Sequence, residues 1–418
     1  MEIYNKKSKK VILSWCMYDW ANSGFATTIM AAVLPVFYSS VAAVDLTKTQ
    51  ATSYWGYTNS VGMLLIALSA PILGAIADHS GTRKGFLCIF ASVGIVFTGL
   101  MVLISTGDWL MASIFFIFAS IGFAGANIFY DSLLPHVAGK DKIDQISTMG
   151  YALGYLGGGL LLLINIAMIL RPSFFYIPDP QWGYRLSFLS VAIWWGLFSI
   201  PIFMNVKEPK PIHFIGESKN WLKAGFQRLC KTFGEVRRFT EAFKFLIAFW
   251  IYNDGIGTII IMATIFGNEI GIAHEHLIGA ILAVQFVGVP FSILFGRLSR
   301  LVGPKISILI GLIIYTGISI GGYFMYHPLH FWILAILVGV VQGGTQALSR
   351  SLYGRLIPKD RSAEFFGFYD ISSKFSGIIG PMLFGIVGQI TGSSRLGIIS
   401  LVIFFIVGGV ILTSVNEE

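Results

Sequence analysis

Twelve apolar runs punctuated by short polar loops constrain this chain more than any other feature it carries. A bilayer core asks for about 20 consecutive apolar residues of helix. Runs of that kind lie near 12–40, 53–77, 85–105, 110–135, 145–169 and 185–204, and again near 242–267, 276–296, 305–326, 330–353, 363–389 and 395–414. In hydrocarbon every backbone N–H and C=O must find its partner within the segment, so such runs fold as helices. The expected class is an all-α membrane protein. Only 12% of the 418 residues are charged, against the roughly 25% that keeps a soluble domain in water. The 47 glycines suit helices that approach closely in lipid.

The formal net charge of +8 does not point to nucleic acid, because the bases fall in alternate short loops. One side carries Lys6 to Lys10, Arg83, Lys84, Lys140 and Lys142, then Lys207 to Arg238, Arg297 to Lys305 and Arg355 to Arg361. The other side holds only Lys48, Arg171, Arg185 and Arg395. Positive loops stay in the cytoplasm, so both termini are expected there, in a cell (inner) membrane. The first run is too long for a signal-peptide core and has no cleavage site, so it reads as a retained helix. Cys16, Cys88 and Cys230 form no CxxC pair. His274-Glu275-His276 lacks HExxH spacing and reads as a solvated outer loop. No GxxxxGK[ST], HExxH or GxSxG occurs, so no enzyme, cofactor, ATP-driven pump or metal site is expected. The expected partners are a small-molecule substrate and membrane lipid, and the expected state is a monomer.

The polar stretch 205–241 divides the chain into six-helix halves, 1–204 and 242–418. Within it Trp221, Leu222, Phe226, Leu229, Phe233 and Val236 recur at helical spacing among Lys and Arg, as in an amphipathic helix on the inner leaflet. The halves repeat one another. Gly74 to Lys84 has a counterpart in Gly296 to Lys305, Pro135 in Pro358, and Trp15-x-x-x-Asp19 in Trp250-x-x-x-Asp254. Parallel six-helix repeats place a substrate site between the halves.

The loop Gly74-x-x-x-Asp78-x-x-Gly81-x-Arg83-Lys84 resembles the signature that major facilitator transporters carry between their second and third helices. Its glycines permit a tight turn and close approach. Asp78 can cap a helix N-terminus in the other half, and Arg83 and Lys84 can hold a carboxylate such as Asp131. The second copy has Arg300 where the acid would stand, so the latch should be asymmetric.

A charge inside lipid costs about 2.5–3.5 kcal/mol on insertion scales, so each one is a site candidate. Asp19 opens a polar stripe with Asn22 and Ser23. Asp254 sits beside Asn253 in YNDGIGT, where Gly255 and Gly257 could break the seventh helix. The tenth run carries Gln342, Thr345, Gln346 and Ser349 on one face, lining a pathway or joining helices. Asp370 and Lys374 form an i, i+4 pair, with Lys374 read as the deepest cation. Gly150, Gly154 and Gly157 to Gly159 read as a packing surface.

SWCMYDWANSGFATT, GFAGANIFYDSLLP, GYALGYLGGG, YNDG, QGGTQALSRS, AEFFGFY and GQITGSSRLGI together resemble the autophagy-related vacuolar effluxer-like branch of the major facilitators and its bacterial relatives. The resemblance implies twelve transmembrane helices in two pseudo-symmetric halves and transport, with amino-acid efflux in the fungal members. The expectation is a secondary transporter for a small polar solute, of the amino-acid class. In that reading Asp19 holds the substrate's ammonium and Asp254 carries a proton. A divalent-cation or other small-solute exporter on the same fold is the alternative.

Overall fold

The computed structural model describes residues 6–139, 141–209, 239–375, 379–391 and 393–417. The first span begins as α1 (Lys6–Gly24) and continues through π-helical Phe25–Ala32, α-helical Val33–Phe37 and π-helical Tyr38–Ala42. There follow α2 (Lys48–Ser80), α3 (Arg83–Leu100), α4 (Trp109–Val137), α5 (Ile143–Leu170) and α6 (Pro180–Asn205). The second half comprises α7 (Thr240–Glu269), α8 (His274–Val302), α9 (Pro304–Tyr323) and α10 (Pro328–Leu356). Its eleventh run holds α11 (Ser362–Phe375) and α12 (Ile379–Thr391), and its twelfth α13 (Ser394–Ser400) and α14 (Val402–Thr413). These elements answer to the twelve apolar runs. Residues 210–238, and with them the amphipathic helix expected in the linker, lie outside the described residues.

Local sequence explains where helices begin and end. Thr47 and Gln50 form a reciprocal capping box at the start of α2, which satisfies two donors that the first turn leaves open. Gly81 ends that helix at φ +64°, and Gly303 stands at φ +84° in the equivalent turn of the second half. Only glycine adopts such angles at no steric cost. Two expectations need correction here. α7 runs unbroken past Gly255 and Gly257, and the irregular helix is the first span. There Thr27 Oγ1 bonds back to the Ser23 carbonyl at 3.0 Å and across to the Gly158 carbonyl at 3.2 Å, and side chains inserted into the ladder loosen a helix. Likewise His274 opens α8 rather than lying in a loop.

Each half buries its own apolar core. Trp15, Phe25, Phe129 and Trp195 belong to the first, and Phe245, Tyr252, Leu348 and Phe405 to the second. Ala363, from α11, packs into the first core. Large apolar side chains such as Ile89, Ile193, Ile313 and Val410 point outward, where lipid rather than water receives them. Across the halves, α5 packs on α8 and α10, and α11 on α2 and α4.

The repeat extends to hydrogen bonds. Lys84 Nζ donates to the Phe203 and Val206 carbonyls at 2.9 and 2.5 Å, while the Glu208 carboxylate accepts the Lys84 N–H. Lys305 Nζ donates to the Val415 carbonyl at 2.9 Å, while Glu417 accepts the Lys305 N–H. A cation thus meets the C-terminal end of one helix and an anion the N-terminal end of another, in both halves, as the helix dipoles favour.

Candidate functional site

A cavity of about 470 Å³ lies between the halves. α1 contributes Asp19, Asn22 and Ser23 to it, α4 Asp131, α7 Asn253, α10 Gln342 and Gln346, and α11 Asp370. All of these were singled out in the sequence. The polar stripe of α10 divides: Gln342 and Gln346 face the cavity, whereas Ser349 pairs with Tyr252 on α7 at 2.6 Å and Thr345 packs toward Gly311 on α9. Lys374 lies in α11, and its side chain is outside the described residues.

At the floor of the cavity stands a residue that the sequence reading passed over. Arg350, on α10, is 2% exposed. Among the described residues it is the cation buried at this site. Its Nε donates to Ser147 Oγ at 2.9 Å, and Nη2 to the Ser147 carbonyl at 3.0 Å and Asp19 Oδ2 at 3.2 Å. Nη1 donates to Asp131 Oδ1 at 3.0 Å and Asp19 Oδ2 at 3.3 Å. A guanidinium has five N–H donors, and here every one is engaged by the opposite half. The rings of Tyr151, Trp15 and Tyr130 surround its carbon at 4.5, 4.9 and 5.5 Å, which adds cation–π attraction. Tyr130 also donates its hydroxyl to Asp19 Oδ2 at 2.8 Å. The glycines of α5 make room: a Cβ at Gly150 would stand 2.5 Å from Asp19 Oδ2, and one at Gly154 2.6 Å from Ser23 Oγ. One signal could have located Arg350, namely that its run is apolar and the cost rule applied to Asp19 applies equally to it.

Asp131 is therefore held by Arg350 and not by Arg83 or Lys84. Arg83 Nε instead meets Asp78 Oδ1 at 2.5 Å, and its Nη2 the Asp360 carbonyl at 3.0 Å. Asp78 accepts the backbone N–H groups of Glu364 and Ala363, at 2.8 and 3.2 Å, at the N-terminus of α11. Gly74 brings α2 against that same turn, since a Cβ there would collide with the Ala363 carbonyl. The other side of this face joins by different chemistry: Arg355 pairs with Asp144 at 2.5 Å, and Arg300 donates to Gln145. The face that carries the basic loops is thereby closed beneath the cavity.

Asp254 departs from its expected place. It is 1% exposed and turned from the cavity, with Oδ1 accepting the Gly380 N–H at 3.0 Å. Its match to Asp19 does not extend to surroundings: Trp15 is fully buried, whereas Trp250 is 38% exposed. The two helices present different faces, so equal spacing from a tryptophan leads to unequal positions.

Helical halves packed around a polar cavity, with one face sealed by contacts between them, define a major facilitator transporter rather than an enzyme. The fold aligns with the proton:xylose symporter XylE at a TM-score of 0.71 and 13% identity, covering 98% of this chain and 95% of that one. It aligns with FucP in its outward conformation at 0.72 and 13%, covering 98% and 99%. Residues 41–418 match the model of the family described as vacuole effluxer Atg22 like, and the chain belongs to that family. It is 40% identical to the MFS-type transporter YxiO of Bacillus subtilis (strain 168), over 99% of this chain and 96% of that one. It is 26% identical to autophagy-related protein 22 of Eremothecium gossypii, over 92% and 80%.

Proposed function

We propose that this protein is a secondary active transporter that carries a small polar solute bearing an amino group by alternating access, coupled to protons. Amino acids are the class that the family resemblance implies. The halves 1–204 and 242–418 rock about the cavity, joined by 205–241, with both termini in the cytoplasm of a cell (inner) membrane. The basic face is then cytoplasmic, and the closed arrangement is an outward-facing one.

One observation carries this reading. Arg350 from one half satisfies all its donors on Asp19, Asp131 and Ser147 of the other, directly beneath the cavity. A contact of this kind exists in one state and is broken in the other, which is what alternating access requires. We assign the coupling role to Asp19 and Asp131, which line the cavity, in place of Asp254, which does not.

Proteoliposomes with an imposed pH gradient test the reading directly, using a labelled mixture of amino acids and simple amines. Gradient-driven accumulation is expected, and Asp19→Asn is expected to abolish both accumulation and counterflow. Absence of both accumulation and counterflow for every member, in liposomes holding folded protein, would rule this reading out.

A further inference from the structure

We infer that the amide pair Asn22–Asn127 is where the cavity tells a zwitterion from a bare amine: Asn127 donates to a carboxylate on the solute while Asp19 takes the amino group. The inference rests on the transport reading of the same cavity and adds a specificity-determining residue to it.

The pair is braced within the protein itself. Asn22 Nδ2, on α1, donates to Asn127 Oδ1, on α4, at 2.6 Å. Both residues line the cavity, and Asn22 is 4% exposed. A primary amide has two N–H donors and an acceptor oxygen. This one contact therefore leaves Asn22 Oδ1 and the whole Asn127 Nδ2 group without a protein partner among the described residues. Turning both amides over would exchange the two parts and still leave one carbonyl and one amino group open. Gln285, Gln342 and Gln346 also reach the cavity, but they carry no such brace among the described residues. A side chain already held in place loses less freedom when it takes up a ligand.

Its height in the cavity is the second ground. Asn22 follows Asp19 by three residues on α1, and Asn127 precedes Asp131 by four on α4. α1 starts at the basic face and α4 ends there, so both steps lead away from that face, by about 5–6 Å at 1.5 Å per residue. Carboxylates and amides thus form two adjacent levels of one wall. An amino group on Asp19 has Asn22 Oδ1 as a second acceptor. A carboxylate on the neighbouring carbon of the same solute then comes to Asn127 Nδ2. A bare amine leaves that donor unpaired, and a site that hydrogen-bonds a group discriminates against the analogue lacking it.

Titration calorimetry on the purified full chain in nanodiscs tests this with two pairs of probes, phenylalanine with 2-phenylethylamine and alanine with ethylamine. Each pair differs by the carboxylate alone. In the unsubstituted protein the amino acid should bind about tenfold more tightly than its amine. Asn127→Leu should weaken the amino acid about tenfold and the amine much less, so that the preference is lost. Asn127→Asp, which keeps the shape, should reverse the preference, because its carboxylate repels the ligand's and attracts the amino group. The far-ultraviolet spectrum and elution profile report whether each variant is folded, and Asn127→Asp carries the test alone if Asn127→Leu is not. Three results would each overturn the inference and leave the transport reading standing. One is an amine that binds the unsubstituted protein as tightly as its amino acid, and another is equal weakening of both by Asn127→Leu. The third is a preference lost in Lys374→Met but kept in Asn127→Leu, which would assign the carboxylate to Lys374. Binding of none of the four probes to folded protein would overturn the inference as well, and the proteoliposome assay then decides the transport reading separately.

Discussion

A guanidinium buried in a membrane bundle is held by whatever takes its charge out of lipid, and for Arg350 that is a pair of acids on the opposite half. Breaking a buried pair by removing one partner costs about 3–5 kcal/mol, because the other charge is left uncompensated. Arg350→Met should therefore lower the thermal midpoint of the purified protein markedly. Adding Asp131→Asn in that background should recover part of the loss, since it relieves one of the two stranded acids. An unchanged midpoint in the single variant, or a further fall in the double, would count against the pairing. Asp19, Asn22 and Ser23 were legible as a polar stripe at helical spacing, and they do reach the cavity. Arg350 was not, because its partners Asp131 and Asp19 lie 219 and 331 residues away, and no periodicity within one helix reports a contact at that range. Asp254 shows the converse. The rule that a buried acid needs a partner holds for it, but the partner is the backbone of Gly380 and not a ligand.

At the scale of the helices, the spacing of apolar runs located each element to within a few residues. The turns came with it, since Gly81 and Gly303 occupy the positive-φ positions that end α2 and α8. What spacing could not convey is which helices meet across the halves. The approach of α2 to α11 depends on Gly74, where any side chain meets the Ala363 carbonyl. Gly74→Leu should push the two helices apart while leaving each half intact. The check is a thiol placed at Ser362, which is fully buried beside this turn, in a background without native cysteines. It should resist an impermeant maleimide in the parent and react in the Gly74→Leu variant. Equal protection in both would mean that the close approach does not hold this face shut.

For the whole molecule, the basic face is held by three kinds of contact at different depths. Asp78 engages the end of α11, Arg355 engages Asp144, and Arg350 engages the acids under the cavity. On the proposed mechanism, the Arg350 cluster ties the halves together and its release opens this face. Because such contacts shift populations only by their differential energy between states, losing one should change proportions, not abolish a state. Spin labels at Asp141 and Lys359, one on each half at the basic face, measure this directly by pulsed dipolar spectroscopy in nanodiscs. The unsubstituted cluster should give a dominant short distance. Arg350→Gln should move a substantial fraction of molecules to a longer one. Identical distance distributions in the two proteins would mean that the Arg350 cluster does not hold this face shut.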